Sequence, residues 1–206
     1  MKRVVVTGFG RFPGAASNPS QDLVAALGRM RRPALDDVEI VTAVLPVTWA
    51  GGLPILRALI ADHRPDAVVM FGLAGRSRTL RIETRAVNLG HGLRPDASRR
   101  VRSGTLEPGG PIARLSRARM QQLRQAMTAT RAPVAFSRDA GTYLCNAALW
   151  TALAATPASL RVVFIHLPPL ARRLPKGRLR RPRLTRPMLL RAAIAAIVSI
   201  AADARR

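Results

Sequence analysis

Three short, unbroken apolar runs set the strongest limit on how this chain can fold. Val4-Val-Val6, Ala67-Val-Val-Met-Phe71 and Val162-Val-Phe-Ile165 lack polar residues at alternate positions. Strands built from them must be covered on both faces, as in a parallel sheet flanked by helices. Residues 38–44 and 134–136 are further strand candidates. Helical spacing fills the intervals. Leu23, Leu27 and Met30 follow Asn18-Pro19-Ser20, a helix start; Leu53, Leu56 and Ile60 make a second helix, and Met120, Leu123 and Met127 a third. Leu190, Ile194, Ile197 and Val198 line one face of a C-terminal helix. The alternation predicts a three-layer α/β/α sandwich around a mostly parallel, mixed central sheet, with residues 81–88 adding a strand. No repeat or linker divides the chain, so one domain over residues 1–206 is expected.

Hydrophobic residues make up 48% of the chain and aromatics only 4%, so Ala, Val, Leu and Ile must build the core. A single cysteine excludes an intramolecular disulfide and fits a reducing cytoplasm. Met1-Lys-Arg-Val-Val-Val6 starts like a signal peptide, but Thr7-Gly-Phe-Gly-Arg11 ends the apolar run too early. The apolar stretch 192–202 is shorter than the roughly 20 residues a bilayer requires. A soluble, cytoplasmic protein without a membrane span is expected.

The net charge of +23 is unevenly placed: residues 1–70 hold eight basic and six acidic groups, residues 71–206 hold 26 and five. Residues 172–191 carry nine basic side chains and no acidic one. Such a field attracts nucleic acid or anionic membrane surfaces. Yet 32 of the basic residues are Arg and only Lys2 and Lys176 are Lys, a bias that a GC-rich genome produces. Residues 170–191 also lack the aromatics used in base stacking. Nonspecific adsorption to anionic surfaces is expected, rather than dedicated nucleic-acid binding.

Chemistry concentrates in Asp139-Ala-Gly-Thr-Tyr-Leu-Cys-Asn146. Leu149, Trp150 and Leu153 follow at helical spacing, so Thr142 is expected to cap a helix from about Tyr143, with Cys145 in its first turn. Free amides and the helix dipole there stabilise a thiolate. The commoner fate of a lone cysteine is a small buried hydrophobe. A nucleophile needs a base and a group to orient that base. His166, ending a strand before Pro168-Pro169, and Glu83, in Arg81-Ile-Glu-Thr-Arg-Ala-Val-Asn88, are candidates. Glu83 is costly to bury unpaired; its partner is an imidazole or an arginine, Arg81 or Arg85.

Other chemistries fit poorly. In Gly8-Phe-Gly-Arg-Phe-Pro-Gly14 the third glycine comes one residue late for a dinucleotide turn. No phosphate-binding Gly-Lys-Ser/Thr occurs, and Gly75-Arg-Ser-Arg-Thr79 lacks the second glycine of a nucleophile elbow. His63, His91, His166 and Cys145 show no metal-ligand spacing, so neither metal nor cofactor is expected. Residues 90–111, with five glycines and three prolines, read as a long and potentially functional loop.

Four collinear segments resemble the pyroglutamyl peptidase I (pyrrolidone-carboxylate peptidase) family of cysteine peptidases. They are Val6-Thr-Gly-Phe-Gly-Arg-Phe-Pro-Gly14 with Asn18-Pro-Ser20, Phe71-Gly-Leu-Ala-Gly75 through Asn88, Asp139 to Asn146, and Phe164-Ile-His-Leu-Pro168. The resemblance implies removal of N-terminal pyroglutamyl residues from peptides through a thioester acyl-enzyme, without a metal. It implies Cys145 as nucleophile, His166 as general base and acid, and Glu83 as orienting carboxylate. It also implies a homo-oligomer, a tetramer or dimer. Phe9 and Phe12 match aromatic loop residues that bracket the lactam ring, and Tyr143-Leu144 falls where other pocket residues are expected. Both phenylalanines serve equally well as core residues.

The family pattern is broken in places. Thr84 stands where an arginine directly follows the glutamate, Leu73 where glutamine is common, and Pro13 where a second glycine is usual. Leu93-Arg94-Pro95-Asp96 swaps the usual order of the arginine and the apolar residue, so the loop over 89–96 is altered. Two other functions follow from these features: a catalytically weak relative that binds an anionic partner through its Arg-rich second half, or a cysteine amidase acting on a different small lactam or amide.

Overall fold

The computed structural model describes residues 1–12, 17–30, 33–91, 95–170 and 184–204. Along the chain run β1 (Lys2–Phe9), α1 (Pro19–Gly28), β2 (Val38–Leu45), α2 (Gly52–His63), β3 (Ala67–Leu73), β4 (Leu80–Glu83), β5 (Arg85–Val87), β6 (Ala113–Leu115), α3 (Met120–Thr128), β7 (Val134–Ser137), α4 (Leu144–Ala155), β8 (Arg161–Leu167) and α5 (Arg186–Asp203). Six strands form one sheet in the order β2-β1-β3-β8-β4-β7, and β5 pairs with β6 in a small ribbon. The neighbours β2, β1, β3 and β8 are parallel. β4 runs antiparallel to β8, and β7 runs parallel to β4. The connection from β3 to β4, residues 74–79, is too short for the crossover a parallel return requires. The chain therefore crosses the end of β8 and comes back antiparallel.

The unbroken apolar runs lie where both faces are covered. Val4, Val6, Val69, Phe71, Val163 and Ile165 pack in one layer with α1, α3 and α5. Val5, Val68, Met70, Val162 and Phe164 face the opposite layer, with α2 and α4. Alternation of side chains along each strand produces these two cores from one sheet. This is the expected three-layer α/β arrangement with a mixed sheet.

Helix starts follow local chemistry at α1 and α5. Asn18 accepts from the Ser20 amide at 3.1 Å, and the Thr185 hydroxyl accepts from Met188 at 3.4 Å. Nine of the 12 residues of α4 are buried, a pattern that fits a helix enclosed on most sides. Its last carbonyls have no donors within the helix. Arg117 closes this end, donating to Leu153 O at 3.0 Å in the last turn and to Thr156 O at 3.2 Å and Pro157 O at 2.6 Å just beyond it. Buried Asp203, at the end of α5, accepts from the Arg119 amide at 2.8 Å and lies 3.3 and 3.2 Å from the guanidinium Nε atoms of Arg119 and Arg161.

Some elements differ from expectation. Residues 81–88 form two strands in different sheets. Thr84 separates them: its amide donates to Ser137 O at 2.7 Å, and its carbonyl accepts from Ser116 at 3.0 Å. The helix holding Leu23 and Leu27 ends at Gly28, so Met30 lies beyond it. The described part of 90–111 forms no helix or strand but is anchored from within. Asp96 accepts from the amides of Trp49, Ser98 and Arg100 at 2.8–2.9 Å and from the Ser98 hydroxyl at 2.7 Å. Burial opposes its ionisation, but these donors outweigh it and hold its pKa below the usual carboxylate value.

Most of the basic stretch 172–191, Pro13 and residues 92–94 of the altered loop lie outside the described residues. No described helix is long and apolar enough to cross a membrane.

The capping role of Arg117 gives a direct test. Arg117→Met is expected to lower the thermal midpoint by about 5–10 °C, from roughly 2–3 kcal/mol of lost charge-assisted hydrogen bonding. A melt monitored by circular dichroism checks this; an unchanged midpoint would contradict the role.

Candidate active site

On β4, Arg81 and Glu83 are two residues apart and so project from the same face of the sheet. Across the antiparallel ladder, Arg81 is opposite His166 and Glu83 opposite Phe164. This register brings Glu83 diagonally under the imidazole, within the reach of cross-strand neighbours. His166 Nδ1 lies 2.8 Å from Glu83 Oε1. Glu83 is fully buried and His166 retains 6% of its surface. A carboxylate accepts, so Nδ1 carries the hydrogen and Nε2 remains for a second partner.

Cys145 approaches this part of the sheet from α4. Cys145 is the second residue of the helix and packs against the core layer containing Phe164. On β3, Gly72 pairs with His166. A Cβ at Gly72 would lie 3.0 Å from Cys145 Sγ and 2.7 Å from the Phe164 ring. The missing side chain is what admits the sulfur and ring beside the strand. Burial opposes charge on His166, but the Cys145 charge, a side-chain hydrogen bond to Cys145 and the contact with Glu83 outweigh it. Together they push the imidazole pKa up to about 9.

The helix start differs from expectation. Tyr143 occupies the capping position, with no side-chain cap bond. The Thr142 hydroxyl instead donates to His91 O, and the His91 amide donates to Thr142 O at 2.8 Å. Thr142 is engaged in a tie to the 88–91 segment and cannot turn back to the helix. Asn146 makes a parallel tie, accepting from the Val87 amide at 2.8 Å and donating to Val87 O and Leu89 O at 2.9 and 3.0 Å.

Arg81 joins two parts of the site. Its Nε lies 3.3 Å from Glu83 Oε1, and its Nη2 donates to the Ser137 hydroxyl and Asp139 O. Both expected kinds of partner for Glu83, imidazole and arginine, therefore meet at one carboxylate oxygen. Arg85 turns elsewhere and donates to Arg138 O at 3.0 Å.

The four expected pocket residues are placed differently from one another. Phe9 is 3% exposed, and its ring centroid lies 6.4 Å from that of Phe164. Leu144 is 1% exposed and belongs to the same apolar layer. Phe12 and Tyr143 are only partly buried against that layer. Tyr143 meets Trp49 edge-on at 5.5 Å and donates its hydroxyl to Pro95 O at 3.3 Å. Burial, then the charges of Asp96 and Cys145, push its pKa up to about 12. Leu73 pairs with Leu167, one position beyond the Gly72–His166 pair. Among the described residues no group of three or more His, Cys, Asp or Glu could hold a metal.

Sequence reasoning did not single out Gly72, Ser137 or Asn146. Arg81 was detectable by its two-residue spacing from Glu83, but nothing local shows where its guanidinium reaches.

Known proteins share this arrangement of chain. The pyroglutamyl peptidase family matches residues 2–203. The pyrrolidone-carboxylate peptidase of Thermococcus kodakarensis is 34% identical over 170 residues, which cover 81% of each chain. The structure of pyroglutamyl peptidase I from Bacillus amyloliquefaciens superposes with a TM-score of 0.85 at 28% identity, covering 99% of this chain and 98% of that one. Pyrrolidone carboxyl peptidase from Thermus thermophilus gives 0.83 at 34% identity, covering 95% and 99%. The buried Glu83–His166 pair beside Cys145 thus sits in a chain that belongs to the pyroglutamyl peptidase family.

Proposed function

We propose that this protein removes N-terminal pyroglutamyl residues from peptides, with Cys145, His166 and Glu83 acting as a catalytic triad. The observation that carries this reading is the buried 2.8 Å contact between Glu83 and His166, with the Cys145 sulfur lodged beside Gly72, the residue paired with His166 in the next strand. In this mechanism the Cys145 thiolate attacks the carbonyl joining the pyroglutamyl ring to the next residue. The first amides of α4, Cys145 among them, have no carbonyl one turn back and are free to donate to the developing oxyanion. His166 gives its proton to the departing amine as the carbon–nitrogen bond breaks, leaving a thioester. Neutral His166 then takes a proton from water while the water oxygen bonds to the thioester carbon. The carbon–sulfur bond breaks, releasing pyroglutamate and returning the thiolate. Glu83 holds Nδ1–H and stabilises the cation formed at each transfer.

The lactam ring is uncharged and suits apolar walls with a few backbone hydrogen bonds. Tyr143 and Phe12, each partly buried beside this layer, are the candidates for those walls. Phe9 supports Phe164 from behind, and Leu144 contributes backbone at the helix start. Leu73, apolar where the family commonly has glutamine, favours a second reading in which another small lactam or amide is preferred. A panel of amides at fixed enzyme concentration separates the two, because each predicts a different best substrate.

Two measurements test the main reading. Purified protein is expected to hydrolyse a fluorogenic pyroglutamyl amide, with Cys145→Ala at least about 10³-fold slower and Glu83→Gln about 10²- to 10⁴-fold slower in kcat. Full activity in Cys145→Ala would remove it as nucleophile. The second measurement follows His166 by NMR titration. Cys145→Ala removes the two largest contributions that raise the imidazole pKa. Its titration midpoint is expected to fall by at least about one pH unit. A midpoint that stays near 9 would show that the sulfur does not act on the ring.

A further inference from the structure

A thiolate, an imidazolium and a carboxylate together carry one excess negative charge, and burial makes that excess costly. Arg81 supplies the missing positive charge. Its guanidinium lies 3.3 Å from Glu83 Oε1, the oxygen that also meets His166 Nδ1. The same group donates to the Ser137 hydroxyl and Asp139 O, at the end of β7 and the start of the segment leading into α4. The second carboxylate oxygen, Glu83 Oε2, is buried without a hydrogen-bond partner among the described residues. Among the described residues, the groups that meet the Glu83 charge, His166 and Arg81, share its other oxygen.

We propose that Arg81 is a positioning residue of this site, balancing the buried Glu83 charge and fixing the β4 carboxylate to the chain that delivers Cys145. This rests on the triad reading above and deepens it. The two halves of the proposed reaction need opposite states of His166: protonated while the amine leaves, neutral while water is activated. An imidazole paired with an uncompensated carboxylate is held in its charged form, so little of it is neutral and able to take the proton from water. By competing for Oε1, Arg81 weakens the hold of Glu83 on the imidazolium. It favours the return of His166 to neutrality once the thiolate has been consumed in the thioester.

Cys145 acts on His166 from α4, and Glu83 acts on it from β4. Tyr143 precedes α4 and feels the Cys145 charge. The Asp139 carboxylate accepts from the Gly141 amide at 2.9 Å, and Arg85 donates to Arg138 O at 3.0 Å.

The test compares the parent with Arg81→Met and Arg81→Lys, reading the His166 NMR titration and the acid limb of the kcat profile. Arg81→Met is expected to move both upward by about one pH unit, with about tenfold lower kcat on that limb. Arg81→Lys keeps the charge but cannot span three acceptors. It is expected to restore the parent's titration while recovering kcat only in part. A lower kcat in Arg81→Met with an unmoved titration would show that Arg81 does not balance the Glu83 charge and would overturn the proposal. Equal shifts in Arg81→Met and Arg81→Lys would do the same. Should Arg81→Met fail to fold by circular dichroism, Arg81→Gln carries the same comparison with a neutral hydrogen-bonding side chain. A parent that releases no pyroglutamate would defeat the catalytic reading, whereas the NMR titration would still decide whether Arg81 acts on His166.

Discussion

Glu83 has no exposed surface, yet it sits where a carboxylate must be met by positive charge or hydrogen-bond donors. Arg81, on the same strand, and His166, across the ladder on β8, meet it at one oxygen. Much of the site follows from satisfying that side chain. The antiparallel entry of β4 beside β8 puts Arg81 opposite His166 and leaves Glu83 one diagonal step away. A parallel β4 would align these residues in a different register. The short 74–79 connection, which forbids a parallel crossover, is therefore also what builds the pair.

The opposite side of the imidazole depends on an empty volume. Gly72 lies beside His166 in the neighbouring strand, and any Cβ there would intrude on Cys145 Sγ and Phe164. α4 can then bring its second residue against the sheet, helped by fully buried Ala147, Ala148 and Ala152. Ties at both ends hold the helix. Arg117 donates to Leu153 O in its last turn, while Asn146 fastens its first turn to the backbone around Val87. Packing, capping and chemistry act on the same element, so loss of either tie is felt at the sulfur.

The sheet was legible in the sequence because the runs around Val5, Val69 and Phe164 leave no polar side for solvent. The candidate site was legible in its residue types: a cysteine at a helix start, a histidine at a strand end, and a glutamate in a semi-apolar strand. What failed was local inference where the deciding partner is remote. Thr142 has the side chain of a cap, but its hydroxyl is taken by His91, 51 residues away. The β5–β6 ribbon consists of three-residue strands, too short to show a period. Its placement relies on long-range ties such as Asn88 to Glu107, at 2.8 Å in both directions. Arg81 could be placed on the face of Glu83 by alternation, but its contacts with Ser137 and Asp139 depend on how β7 aligns with β4.

The proposed chemistry makes the sulfur, rather than a metal or a hydroxyl, the atom that carries the pyroglutamyl group. The direct test is to quench the protein in acid during turnover of an activated pyroglutamyl ester and to locate any adduct by mass spectrometry. Expected is the added mass of one pyroglutamyl group on the peptide containing Cys145, labile to hydroxylamine as a thioester is. Steady turnover with no adduct, or with the adduct on a peptide lacking Cys145, would contradict it.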